Sequence, residues 1–226
     1  MSNIQKSFSK SSQSYNQNSF IQKDVAKTLV QKIPNLYPKV ADIGCGDGAV
    51  IQNINWNFEK FLAVDFSKEM LELHKKDKNI EIFKADFDDD SLFQKLADEK
   101  YDILISSSAF QWSKNIYKLF KNIEKLNIPT YISIFTNKTF NEIHKYFEIQ
   151  SPITSTKDIL NSASNFKFEI IQKEVKFKNS LELLQYIKKS GVSGGENIVP
   201  NNKIRNLISS NKIHSITLEI IFLWKN

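Results

Sequence analysis

The residues whose types and spacing can do chemistry come early in the chain, at Asp42-Ile43-Gly44-Cys45-Gly46-Asp47-Gly48. Glycine reaches positive φ without steric cost and leaves its amide bare, so glycines at alternate positions let a loop close on a ligand at backbone distance. With a strand running into the loop and a helix leaving it, the helix end would add partial positive charge. That is the layout of a dinucleotide-type ligand loop. Glycine is scarce elsewhere. Average usage gives roughly 16 in a chain of this length, yet there are six, the other three being Gly191, Gly194 and Gly195.

Asp65 follows Gly44 by 21 positions and closes the next apolar run, Phe61 to Val64. A carboxylate there can accept both hydrogen bonds of a ribose diol, and Phe66 beside it can lie against an adenine ring. Gly44, Gly46 and Ala49 also satisfy the loose dinucleotide fingerprint, so a nicotinamide or flavin enzyme stays open on spacing alone. Cys45 reads as a small buried residue, because no base is evident nearby to make it a nucleophile. His74, His144 and His214 are too dispersed to hold a metal, and none is expected.

The elements that must position these residues follow from hydropathy. Short apolar runs at Val40 to Ile43, Phe61 to Val64, Ile80 to Phe83, Ile103 to Ile105 and Tyr131 to Phe135 read as buried strands. Helical stretches alternate with them: Ser67 looks like a cap, and Ile116, Leu119, Phe120, Ile123 and Leu126 share one helical face. This rhythm implies a parallel sheet with crossover helices. Ile21, Val25, Leu29 and Ile33 predict an amphipathic helix stopped by Pro34. Later, Phe166 to Phe177 and Ser215 to Trp224 predict an antiparallel hairpin around a long insert.

The expected fold is therefore α/β: a doubly wound, Rossmann-like, seven-stranded sheet with an antiparallel last strand. It forms one domain over 1–226, with a mobile N-terminal arm at 1–19, whose Ser, Asn and Gln content cannot bury a core, and a helical insertion at 179–213. One cysteine makes no internal disulfide, and no window approaches a membrane span, so a cytoplasmic protein without a membrane partner is expected. The formal charge is +6 with 31 basic residues, but only Arg205 is an arginine. Nucleic-acid readers usually use Arg forks, so no nucleic-acid partner is expected.

Asp42 ahead of the first glycine, together with Gly48, resembles the Asp-x-Gly-x-Gly-x-Gly loop of class I S-adenosylmethionine-dependent methyltransferases. The resemblance implies a cofactor set of Asp42, Gly44, Cys45, Gly46, Asp65, Phe66, Asp86, Phe87 and Ser106. In that set Asp86 takes the adenine amino group and Ser106 lines the methionine moiety. The fourth strand ends in Ser106-Ser107-Ser108-Ala109-Phe110-Gln111-Trp112. This lacks the Asn/Asp-Pro-Pro-Tyr/Phe of exocyclic amine methylation and the Pro-Cys of cytosine C5 methylation, so a carboxylate or hydroxyl acceptor moves up.

Three segments are similar to the malonyl-acyl carrier protein O-methyltransferases of early biotin synthesis. They are Phe8-Ser9-Lys10 with Tyr15 and Gln22, Ala109-Phe110-Gln111-Trp112, and Tyr186 to Gly191 with Val192. The family's arm alanines are serines here, and an Asn common before its Ala-x-Gln-Trp appears as Ser107. The resemblance implies methyl transfer from S-adenosylmethionine to the free carboxylate of malonyl-acyl carrier protein. Tyr15 would close over the cofactor, Gln111 and Trp112 would line the acceptor pocket, and Gly191 would border the thioester channel. A carboxylate of ordinary pKa near 4 is already ionised at pH 7, so no catalytic base is required. Methylation of a small free carboxylic acid or other metabolite, and a non-catalytic cofactor-binding module, are the alternatives.

Overall fold

The computed structural model describes residues 20–34, 36–189 and 199–226. Seven strands form one sheet in the order β3-β2-β1-β4-β5-β7-β6. They are β1 (Lys39–Ile43), β2 (Lys60–Asp65), β3 (Ile80–Lys84), β4 (Ile103–Ser107), β5 (Thr130–Phe135), β6 (Lys167–Lys176) and β7 (Ser215–Lys225). The first five are parallel; β7 runs antiparallel to both β5 and β6. The expected doubly wound sheet is present, and the strand order reverses between β1 and β4. A crevice at the carboxyl ends of strands flanking such a switch point is where open α/β sheets bind ligands.

Eight helices accompany the strands: α1 (Phe20–Gln31), α2 (Lys68–Leu73), α3 (Asp90–Glu99), α4 (Ile116–Leu126), α5 (Asn141–Phe147), α6 (Thr156–Ser162), α7 (Ser180–Lys189) and α8 (Asn201–Ser210) among the described residues. Successive strand residues point to opposite faces. Val40, Phe61, Ala63, Ile103 and Ile105 join α1, α5, α7 and α8 in one core, while Ala41, Leu62, Val64 and Leu104 join α3, α4 and α6 in the other. This two-sided burial is why the central strands read as continuous apolar runs. β3 and β6 are the edge strands, and Lys167, Glu169, Lys173, Glu174 and Lys176 of β6 discourage pairing with another sheet.

Local chemistry explains the helix ends. Ser67 Oγ accepts from Met70 N at the start of α2, and Asp89 caps α3 through Ser91 N. Ser155 caps α6, a seven-residue helix burying only Ile159, too short for its period to show in the sequence. One expectation is corrected: no helix follows the glycine loop. Residues 46–53 are turns, with Gln52 N donating to Gly48 O at 3.2 Å and Asn53 N to Val50 O at 3.0 Å. The stretch is short, and the Asn53 side-chain amide takes the Ala49 carbonyl at 2.8 Å, competing with a helical ladder.

The region beyond β5 is organised around one buried acid. Glu219 on β7 is 1% exposed. Its carboxylate accepts from Thr136 Oγ1 (2.9 Å), Thr156 Oγ1 (2.8 Å), Gln172 Nε2 (2.9 Å) and Lys138 Nζ (3.3 Å). It thereby joins the end of β5, the start of α6 and strands β6 and β7. Burial pushes this carboxyl's pKa up, but the hydrogen bonds from Gln172, Thr156, Thr136 and Lys138 outweigh it and hold the pKa below the ordinary range. A depressed pKa means that the stabilisation is present above the unfolded carboxyl value, about 4.3, and is lost as the pH falls below it. Replacing Glu219 with Ala strands four donors around a cavity and is expected to cost about 3 kcal/mol, read as a lower denaturant midpoint; Glu219→Gln, which keeps the shape, should lose less.

Candidate functional site

Asp65 closes β2 and is the hinge of the site. Its Oδ2 accepts from Gly46 N at 3.0 Å and its Oδ1 from Ser67 N at 2.8 Å. The preceding carbonyl, Val64 O, accepts from both Gly44 N (2.7 Å) and Cys45 N (2.9 Å). Four backbone donors thus tie the glycine loop, and the start of α2, to the end of β2.

The glycines serve different ends. All three have positive φ: Gly44 at 75°, Gly46 at 55° and Gly48 at 93°. A Cβ on Gly44 would lie 2.3 Å from Ala109 Cβ, so glycine there lets the loop pack against the segment that follows β4. A Cβ on Gly46 would meet nothing within 4 Å, which leaves its backbone open to a ligand.

The loop forms one wall of a narrow cleft, ≈ 70 Å³, at the carboxyl ends of β1, β2 and β4. Of the residues singled out from sequence, Gly44, Cys45, Gly46, Asp65, Phe66, Phe87 and Trp112 line it together. Four others do not. Asp42 lies fully buried under the loop. Asp86 accepts from Asp88 N at 3.0 Å and faces Lys114 Nζ at 3.4 Å. Ser106 Oγ donates to Ile43 O at 2.7 Å, locking β4 to β1. Gln111 Nε2 donates to Ser108 O at 2.6 Å. Tyr15 and Gly191 fall outside the described residues.

Sequence reasoning missed other parts of the wall: Lys23 beside Gln22 on α1, Met70 on α2, and Ser107 and Ser108. Ser108 has φ 59°, a left-handed conformation that costs a non-glycine residue about 1–3 kcal/mol. No local signal marks it. The bond from Ser108 N to Ser133 O at 2.9 Å and the Gln111 side chain on Ser108 O hold it there.

Buried polar atoms without a protein partner gather here. Gln22 Oε1, Asp47 Oδ2 and Ser108 Oγ belong to residues of the wall, and both Asp42 oxygens, Gln111 Oε1 and His74 Nε2 lie near it. Each such group costs about 1–3 kcal/mol, so their concentration marks a place where the fold is completed by a ligand. Burial drives the Asp65 pKa up to about 6, against the pull of hydrogen bonds from Ser67, Gly46 and Phe66 amides. Burial, then the neighbouring Asp65 charge, also holds the Asp42 pKa well above the ordinary carboxylate range. Burial and the charges of Asp65 and Asp42 also raise the Cys45 thiol, which stays protonated and unreactive at neutral pH. Among the described residues no three metal-ligating side chains cluster, and no helix is long and apolar enough to cross a membrane.

Comparison with known proteins agrees with this geometry. Residues 41–131, from inside β1 to the start of β5, match the methyltransferase domain family. The chain is 29% identical to a malonyl-[acyl-carrier protein] O-methyltransferase of Bacillus cytotoxicus over 156 residues, 64% of this chain and 54% of that protein. A protein of Coxiella burnetii named malonyl-[acyl-carrier protein] O-methyltransferase 2 is 22% identical over 207 residues, covering 84% of this chain and 81% of that one. The chain spans little more than half the length of the Bacillus relatives it matches. Among solved structures, the YcgJ protein of Bacillus subtilis superposes with a TM-score of 0.62 at 12% identity, covering 89% of this chain and 97% of that one. A geranyl diphosphate methyltransferase in complex with SAM gives 0.52 at 12% identity, over 89% and 84%. The fold is that of Rossmann-like methyltransferases, and the stretch that matches the methyltransferase domain family holds the glycine loop, Asp65 and Trp112.

The cleft suits S-adenosylmethionine, the cofactor that the Asp-x-Gly-x-Gly-x-Gly resemblance implies. Each Asp65 oxygen already takes one amide hydrogen, and a carboxylate oxygen has room for another, so a ribose diol can be held without breaking the loop. Acceptance from two hydroxyls requires the ionised acid. With the pKa near 6, about a tenth of Asp65 is ionised at pH 5. Affinity for S-adenosylmethionine, measured by calorimetry, is expected to fall about tenfold from pH 7 to pH 5, and Asp65→Asn should flatten that dependence while weakening binding at pH 7. Gly44→Ala, which forces a Cβ into Ala109, should lower the melting temperature and abolish the cofactor-induced thermal shift.

Proposed function

We propose that this protein transfers the methyl group of S-adenosylmethionine to the free carboxylate of a malonyl group carried on acyl carrier protein, a step of biotin synthesis. The observation that carries this reading is the position of Trp112. It ends the Ala109-Phe110-Gln111-Trp112 segment that resembles the malonyl-acyl carrier protein enzymes, and it lines the same cleft as the glycine loop. The relatives' shared name supports the same acceptor.

The cofactor supplies an electrophilic methyl on a sulfonium. What remains for the chain is to bind, orient and dry the reactants. The acceptor carboxylate is ionised at neutral pH, so no side chain has to remove a proton, consistent with a cleft whose acids hold the cofactor and whose thiol is neutral. Asp65 and the Gly46 amide region fix one end of the cofactor, while Trp112, Ala109 and Ser108 border the space beside it. Alignment of oxygen, carbon and sulfur at near-attack distance, with water excluded, accelerates such a transfer. By the same resemblance Tyr15, outside the described residues, would close over the cofactor, and acyl carrier protein in the cytoplasm is the partner.

Intact-mass spectrometry of malonyl-acyl carrier protein incubated with the enzyme and S-adenosylmethionine tests the proposal, with malonyl-coenzyme A in a parallel tube. Addition of one methyl to the carrier is expected. Methylation of free thioester alone would remove the carrier from the proposal, and methylation of neither, with cofactor binding shown separately, would overturn the acceptor.

A further inference from the structure

A second cleft, of ≈ 1010 Å³, opens at the carboxyl end of β5 between the start of α4 and helices α5 and α6. It shares a wall with the cofactor cleft. Ser113 lines the second cleft and its neighbour Trp112 the first, and Thr154 of the second donates through Oγ1 to Gln111 O at 3.3 Å. The Glu219 network braces that wall: Thr156 N donates to Asn137 Oδ1 at 3.4 Å, and Asn137 N to Thr154 O at 3.1 Å.

The lining is polar but offers little net charge. Lys114 is paired with Asp86, Glu148 with Lys203, and Asp158 accepts from Ser155. What is left is amide chemistry. The side-chain amides of Asn141 and Asn161 make no hydrogen bond to another described residue, and His144 Nδ1 is buried there without a partner. Desolvation, against a weaker pull from Glu142, lowers the His144 pKa, so the ring is neutral near pH 7. Lys145 lies on the lining and makes no ion pair among the described residues.

We infer that this cleft is the subsite for the pantetheine arm of the acceptor thioester. The arm is a slender chain with two amides, a hydroxyl beside a dimethyl-substituted carbon, and a phosphodiester at its far end, and it needs amide donors and acceptors along its length and a cation at that end. Asn141, Asn161 and His144 provide the first, Lys145 the second, and the shared wall at Gln111 to Ser113 leads the thioester end towards the methyl donor. The inference rests on the proposed malonyl thioester substrate and adds where its arm lies.

The test compares malonyl-acyl carrier protein with malonyl-N-acetylcysteamine, a short thioester lacking most of the arm, in wild type and in the doubly substituted Asn141→Leu, Lys145→Glu protein. The ratio of KM for the carrier to KM for the short thioester is expected to rise about tenfold in the variant, the loss of roughly one good hydrogen bond and one charge contact. An unchanged ratio overturns the inference. A readout without turnover uses the dissociation constants of holo- and apo-carrier, which differ only in the arm. The wild type should prefer the holo form and the variant should not; equal preference in both proteins also overturns it. Failure of wild type to methylate any malonyl thioester would instead strike the acceptor assignment, and the subsite with it.

Discussion

Everything in the site depends on the attachment of the glycine loop to the end of β2. Val64 O receives two loop amides and Asp65 a third, while the other Asp65 oxygen holds the first turn of α2. Because β1 and β2 are paired in parallel register from Lys39 and Lys60 onward, the loop that leaves β1 emerges at the level of the β2 terminus. Positive φ at three glycines then lets successive amides turn towards one carboxylate. The acid that anchors the loop is also the acid that faces the cleft, so loop geometry and ligand binding cannot be separated at this point.

This attachment has an electrostatic consequence. Asp65 and Asp42 are both buried, Asp42 without a hydrogen-bond donor, and burial makes both resist ionisation. The same small volume holds unpartnered oxygens of Gln22, Asp47 and Ser108 and the strained backbone of Ser108. Among the described residues most of the buried side-chain atoms left without a partner lie in or beside this cleft, where a ligand belongs. The buried acid Glu219 shows the contrast: it has four side-chain donors and remains ionised, because its work is to join strands and loops rather than to meet a ligand.

Two clefts stand side by side along the carboxyl edge of the sheet, divided by the short turn Phe110–Trp112. One is acidic and enclosed, suited to a cationic cofactor; the other is open and rich in amides. The division gives the Gln111–Ser113 stretch its importance. It has no catalytic side chain, yet it is positioned from one side by Ser108 and from the other by Thr154.

The sequence by itself determined the parallel five-strand rhythm, the β6–β7 hairpin with its helical insert, the glycine loop at the end of β1 and Asp65 at the end of β2. These are local: burial on both faces writes an apolar run, and a positive φ writes a glycine. It could not decide which strand-end residue faces the ligand, because that turns on one-residue register and on distant contacts. Ser106 was read as a wall residue, but its hydroxyl is engaged by Ile43 O, and Ser107 and Ser108 occupy the wall. Asp86 turns to Lys114 while its neighbour Phe87 faces the cleft. The helix expected after Gly48 is lost to a side-chain bond from Asn53. Glu219 meets Thr136 only because β7 inserts beside β5 from 80 or so residues away in the chain. Tertiary packing decided these matters, since a side chain's partner there is chosen by space rather than by sequence neighbourhood.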